Sequence, residues 1–180
     1  MALTFTTLGG SCVRIGGAER PVLVFPDSAK AGGKDVLALL SNPEEEIREG
    51  VISWPGEYNA AGVSMRGIGH GDGQQVSYVV ELEGIRCGFL SSPLQDWTDK
   101  QLEMVGDIDV LVIPAEKQKI AQKLIDEFDP RILILIPTDD KDAYAALAKL
   151  VGVKPDSAMS DYKMKGTLPA EGREVVVLRK

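Results

Sequence analysis

Through the first half of the chain, apolar positions recur every second residue or run unbroken, and glycine pairs punctuate them. Residues 3–8 alternate, with Leu3, Phe5 and Thr7 set against Thr4, Thr6 and Leu8, and stop at Gly9-Gly10. That is the period of a strand followed by a tight turn. Residues 11–15 read as a second strand closed by Gly16-Gly17, and the apolar run Val22-Leu23-Val24-Phe25 ends at Pro26-Asp27. Three short strands joined by glycine turns predict a meander, the third strand more buried than the others. Residues 27–34 are polar and read as a loop, residues 36–40 are apolar, and Ser41-Asn42-Pro43-Glu44-Glu45-Glu46 breaks the pattern. Strand signals return at 51–53, 63–68, 76–83 and 85–90, the last two joined by the hairpin pair Glu83-Gly84. Ahead of residue 76, Gly69-His70-Gly71-Asp72-Gly73 reads as a flexible glycine loop.

After residue 91 the period changes. Thr98-Asp99-Lys100-Gln101 is a capping box that opens a helix with Leu102 and Val105 inward and Gly106 at its end. Residues 110–113 form a buried strand. Ile120, Ala121, Leu124, Ile125 and Phe128 then fall on one helical face, and Pro130 leads into a second buried strand at 132–136. A further amphipathic helix carries Tyr144, Leu147, Leu150 and Val151 and closes at Gly152. Residues 162–164 and 174–178 finish the chain as strands. Neither a linker nor a repeat divides this order, so residues 1–180 are expected to form one α/β domain, a sheet-on-sheet core with helices outside.

Composition agrees with that picture. The chain has 180 residues, 44% hydrophobic and 26% charged, values of a globular protein with a real core. No apolar run approaches the ~20 residues that span a bilayer, and the first residues lack the basic and apolar regions of a secretion signal. A cytoplasmic location is the expectation. The net charge is −7 with a pI near 4.8. Such a surface repels phosphate backbones, which argues against nucleic acid as a partner. The basic residues Lys163, Lys165, Arg173, Arg179 and Lys180 alternate with apolar ones, as on the solvent faces of two strands. Cys12 and Cys87 lie in separate strand-like runs without a CxxC, which suits buried thiols. Two cysteines and the single histidine, His70, cannot supply a four-ligand zinc site of the usual Cys/His kind.

The most distinctive stretch is Trp54-Pro55-Gly56-Glu57-Tyr58, where Pro55 fixes φ and Gly56 accepts positive φ, so the chain must turn. With Gly62-Val63 and Gly67-Ile68 it resembles the "PGEY…GV…GI" segment of the metallo-β-lactamase-fold superfamily, in its small lactonase-like branch of metal-dependent hydrolases. Residues 94–102, 107–114, 130–137 and 168–178 are similar to further segments of that branch, in the same order. The resemblance implies a compact version of the four-layer αβ/βα sandwich, with one or two metal ions at the sheet edges. It also implies a His-x-His-x-Asp-His loop, a later histidine, a bridging Asp in a Gly-Asp pair, and a last histidine after Ile-Pro.

Against that pattern the loop after residue 40 reads Asn42-Pro43-Glu44-Glu45-Glu46-Ile47, without histidine. Ser91-Ser92 stands for the Gly-Asp pair, Phe25-Pro26 for an early Asp-Pro, and Thr138-Asp139 follows Ile136-Pro137. Only His70, with Asp72 nearby, keeps a ligand's place. Since neutral imidazoles are what hold zinc and acidify its water, the zinc hydrolase reading is poor.

Asn42, Glu44, Glu46, His70, Asp72 and Asp139 could form an oxygen-rich site for a hard divalent cation. The structural alternative puts Glu44–Glu46 in the first turn of a short helix, and Thr138 or Asp139 at the N-cap of the following one. Glu57 and Tyr58 are either a proton-transfer pair or a turn-stabilising pair packed on Trp54. Glu57, Tyr58, His70, Asp72, Ser92 and Asp139 together mark the candidate cleft. The leading expectation is a non-catalytic, self-assembling or binding module that has lost its zinc site, needs no cofactor, and forms homo-oligomers. One alternative is an atypical lactonase or phosphoesterase with one divalent ion near His70. The other is a small-molecule binder using the emptied cleft.

Overall fold

The computed structural model describes residues 2–164 and 167–179. Lys165 and Lys180 of the basic set lie outside the described residues. The glycine-punctuated alternation at the N-terminus forms the predicted meander: β1 (Thr4–Gly9), β2 (Cys12–Gly16) and β3 (Val22–Val24) pair antiparallel in sequence. β4 (Leu37–Leu39) and β5 (Val51–Ile52) then add in parallel, and β12 (Asp161–Lys163) pairs with β1. This six-stranded sheet has the order β12-β1-β2-β3-β4-β5.

The second sheet begins as an antiparallel run of β6 (Gly56–Ala60), β7 (Val63–His70), β8 (Gln75–Leu82) and β9 (Ile85–Phe89). It continues in parallel through β10 (Val110–Ala115), β11 (Ile132–Pro137) and β13 (Glu174–Val177). The helices α1 (Asp99–Val105), α2 (Gln118–Phe128) and α3 (Lys141–Leu150) connect these parallel strands. Every residue of β10 is buried, as strands covered on both faces require.

Alternation divides the apolar residues between two layers. Phe5, Ile15, Val24 and Leu39 meet Met65, Tyr78, Phe89, Val112 and Ile134 between the sheets. Leu111, Ile113, Leu133 and Leu135 point the other way, under Leu124 and Ile125 of α2 and Tyr144 and Leu147 of α3. On the outer face of the six-stranded sheet, Ala38 and Leu40 pack with Val51. Covering them is a loop with a single 3₁₀ turn, Ala29–Ala31. Gly32 lies so close that an added Cβ would stand 2.6 Å from Val51 Cγ2 and 3.0 Å from Ala38 Cβ. The expected layered sandwich is therefore present in compact form, its second outer layer reduced to that turn. Among the described residues no helix is long and apolar enough to cross a membrane.

The capping box forms as read, with Thr98 Oγ1 accepting from Gln101 N and the Gln101 side chain accepting from Thr98 N. Several local expectations are corrected. Gly56 takes φ 150° but opens edge strand β6, because residues 56–60 find a full antiparallel partner in β7. Gly69 and His70 complete β7, and the turn itself is residues 71–74. Residues 44–46 form no helical turn. Asp140, rather than Thr138 or Asp139, caps α3 by accepting from Ala143 N. Leu150 is 47% exposed, and α3 buries Ala143 and Ala148 beside Tyr144 and Leu147. Lys163 belongs to one sheet, while Arg173 precedes β13 of the other and pairs with Asp129 at 2.7 Å.

The two leucines give a direct comparison. Leu124→Ala, at a fully buried position of α2, is expected to lower unfolding free energy by about 2–5 kcal/mol. Leu150→Ala should change it by no more than about 0.5 kcal/mol. Urea denaturation of both variants reads the difference.

Candidate functional site

In open sheets with parallel strands, clefts form beyond the carboxyl ends of the strands, where successive connections leave in different directions. Here the turn after β1 and the loops after β3, β4, β9 and β11 meet at such a place. They line two adjacent lobes of about 300 and 390 Å³ that share Ser11 and Ser92. Phe25, Asp27, Asn42 and Glu44 belong to the first lobe; Thr138, Asp139 and Arg179 belong to the second.

Phe25 turns the chain into the first lobe. Its φ is +57°, a left-handed conformation that costs a bulky residue about 1–3 kcal/mol and persists only when neighbours hold it. Its amide donates to Leu39 O at 2.8 Å, and its ring lies 6.1 Å from that of Tyr78. Tyr78 is anchored in turn, donating its hydroxyl to Leu40 O at 2.7 Å.

The opposite wall is fixed by the chain from residue 41 to residue 54. Asn42 Nδ2 donates to Gln74 O at 3.0 Å, while its Oδ1 accepts from Ser41 Oγ at 3.0 Å. Glu44 is held through its main chain: its N–H donates to Ser53 Oγ at 3.0 Å, and its carbonyl accepts from Trp54 Nε1 at 2.9 Å. Trp54 thus serves the cleft indirectly, by tethering the loop that carries Glu44.

Ser92 sits where the lobes join, on the loop between β9 and α1. Its hydroxyl donates to both oxygens of Glu116, at 3.1 and 3.2 Å. The same carboxylate accepts from Leu94 N, and Lys117 Nζ donates to Leu94 O at 2.8 Å. Glu116 and Lys117, which hold the loop of Ser92, are residues that sequence reading missed. The available signal was their position: two charges immediately after a wholly apolar parallel strand, where sites gather.

The other sequence candidates lie elsewhere. Glu57 forms an ion pair with Arg66, and Tyr58 donates its hydroxyl to Trp54 O at 2.8 Å. Both line a separate groove of about 370 Å³ beside β6. Glu46 is exposed and pairs with Arg48 at 2.6 Å. Asp72 is exposed in the 71–74 turn. The structure therefore gathers Asn42, Glu44, Ser92 and Asp139 at the two lobes and leaves Glu46, Glu57, Tyr58, His70 and Asp72 outside them.

His70 shares the face of β7 that bears Ile68 and lies beneath α1, its ring 4.8 Å from that of Trp97. Gln101 Nε2 donates to Nδ1 at 3.2 Å, and Nε2 lies 3.1 Å from Ser77 Oγ. With Nδ1 accepting, the proton of the neutral ring is on Nε2 and is directed at Ser77. Ser77 Oγ also receives Ser91 N at 3.0 Å and contacts Ser91 Oγ at 3.1 Å. Gln75 Nε2 completes the chain of bonds by donating to Ser91 Oγ at 2.8 Å. Both imidazole nitrogens are thus engaged within the fold.

The donor set does not fit a zinc centre. Among the described residues no three His, Cys, Asp or Glu side chains are grouped to hold a metal ion, and His70 lines neither lobe. Burial lowers the His70 pKa from its ordinary 6.5 to about 4. An unfolded chain therefore binds a proton that the folded chain refuses between those values, so this contribution to stability is present above pH 6.5 and is lost as pH falls towards 4. Denaturation midpoints across that range should show the decline, and His70→Asn should flatten it.

No protein-family model matches the sequence, and no curated protein matches it. Solved structures do match the fold. A Thermotoga maritima protein assigned to the Zn-dependent hydrolases of the metallo-β-lactamase superfamily superposes with TM-score 0.76 at 22% identity, covering 98% of each chain. The metallo-β-lactamase-fold protein YhfI of Bacillus subtilis gives 0.64 at 10% identity, covering 98% of this chain and 96% of its own. Igni18, a metallo hydrolase of Ignicoccus hospitalis, gives 0.58 at 10% identity over 93% of this chain and all of its own. The two facing sheets, their strand order and these superpositions establish that the chain has the metallo-β-lactamase fold.

Proposed function

We propose that the chain is a binding module on the metallo-β-lactamase fold, working without a zinc centre and holding a small polar molecule in the two-lobed cleft. The observation that carries this reading is the way the cleft is held. Glu116 and Lys117 fix the loop of Ser92 from one side, while Ser53 and Trp54 fix that of Glu44 from the other. Side chains and backbone of the protein supply this organisation. The resulting lining is polar and concave, of a size that suits a small ligand.

Structural neighbours assigned as metal-dependent hydrolases favour a competing reading, a hydrolase with a divalent ion. That chemistry needs ligands that converge and an open coordination position. The carboxylates near the cleft are divided between its lobes, and the sole histidine is committed elsewhere.

Metal analysis separates the two. Purified chain incubated with zinc, manganese or iron and then desalted should retain far less than one ion per chain. Retention of about one ion per chain would overturn the binding-module reading.

A further inference from the structure

The hydrogen-bond polarity of the cleft selects among ligands. In the first lobe, Asp27 and Glu44 are carboxylates, and among the described residues no lysine, arginine or histidine lines it. Ionised carboxylates only accept hydrogen bonds. The hydroxyl proton of Ser92 is directed at Glu116, so towards the cleft Ser92 offers lone pairs. Ser41 likewise gives its proton to Asn42 Oδ1, and Asn42 gives an amide proton to Gln74 O. Ser92, Ser41 and Asn42 thus each commit a proton within the protein, while Ser11 and Ser28 add two further hydroxyls that can accept as well as donate. Phe25 adds an aromatic wall to the same lobe.

The second lobe carries one guanidinium, Arg179, and one carboxylate, Asp139. Among the described residues the joined cleft therefore has three carboxylates and one cationic side chain in its lining, within a chain of net charge −7. An anionic ligand would meet repulsion from the carboxylates, whereas a donor-rich cation meets them as acceptors. A bare metal ion fits less well, because no three acidic side chains among the described residues are grouped to coordinate one.

We infer that the cleft takes a small organic cation, an amine or guanidine, with its charged end in the lobe of Asp27 and Glu44 and its adjoining polar group on Ser92. This rests on the binding-module reading and names the ligand class for it. Recognition is by hydrogen bonds and charge, without covalent chemistry. Binding should weaken with salt, since the carboxylates are partly solvated.

The test is a titration of the whole, metal-free chain, followed by amide chemical shifts and calorimetry. The probes are spermidine, agmatine and glucosamine, compared with glucose, glucose 6-phosphate and magnesium ion alone. At least one amine should perturb the amides of residues 25–28, 41–44 and 92. Glu44→Gln and Asp27→Asn should each weaken that binding by about fivefold or more, and Ser92→Ala should weaken it as well. The Glu44 and Asp27 variants keep the size of the side chain, and their thermal melts confirm that the fold is intact.

The ligand class is overturned if no amine binds, if amine affinity is the same in both carboxamide variants, or if magnesium alone gives the same perturbation. Glucose or glucose 6-phosphate binding in the cleft in place of amines would overturn the class while leaving the binding-module reading in place. Retention of one metal ion per chain would overturn both.

Discussion

The central strands of the seven-stranded sheet must be covered on both faces, and much of the architecture follows from that requirement. In β10 and β11, neighbouring residues serve different layers: Val112 and Ile134 enter the space between the sheets, while Leu111 and Leu133 enter the space under the helices. A strand with two apolar faces cannot be stable against water on either. The six-stranded sheet supplies one cover and helices α1–α3 supply the other. Parallel pairing of β9, β10, β11 and β13 needs long crossovers, and the helices are those crossovers. The same parallel direction brings the loops after these strands to one end, where the cleft opens.

At that end polar groups leave the apolar layers and must find partners, because an unpaired buried donor or acceptor costs about 1–3 kcal/mol. The fold meets this demand internally. Ser92, Leu94, Glu116 and Lys117 satisfy one another across the gap between β9 and β10. Below them Gln101, His70, Ser77, Ser91 and Gln75 form a buried chain of bonds. A histidine in that setting is a structural link: both nitrogens are used, and burial keeps the ring neutral. Side chains and main chain of the fold hold its cleft end together.

Much of the architecture was legible from the order of residues. The meander, the Glu83-Gly84 hairpin, the capping box at Thr98 and the amphipathic face of α2 each rest on a local signal, and each forms as read. The errors fall where long-range pairing overrides local preference. Pro55-Gly56 does turn the chain, yet β7 recruits residues 56–60 as an edge strand. Gly69 and His70 sit among glycines and still extend β7, because β8 pairs with them. Leu150 fits the apolar pattern of a helix but falls off the buried arc of α3, which Ala143, Tyr144, Leu147 and Ala148 occupy.

Residue order alone sets the alternation that sorts residues into two faces, the helical periods, the acidic balance and the scarcity of histidine. These are properties of neighbours along the chain. What each face meets depends on long-range packing. Period-two alternation puts Ile68 and His70 on one side of β7, but whether that side faces the other sheet or the helices depends on how separate strands pack. The same holds for Trp54-Pro55-Gly56-Glu57-Tyr58: its order marks the fold, while its part at the cleft is the bond from Trp54 to the carbonyl of Glu44. That bond joins residues from different loops, brought within reach by the pairing of β4 with β5.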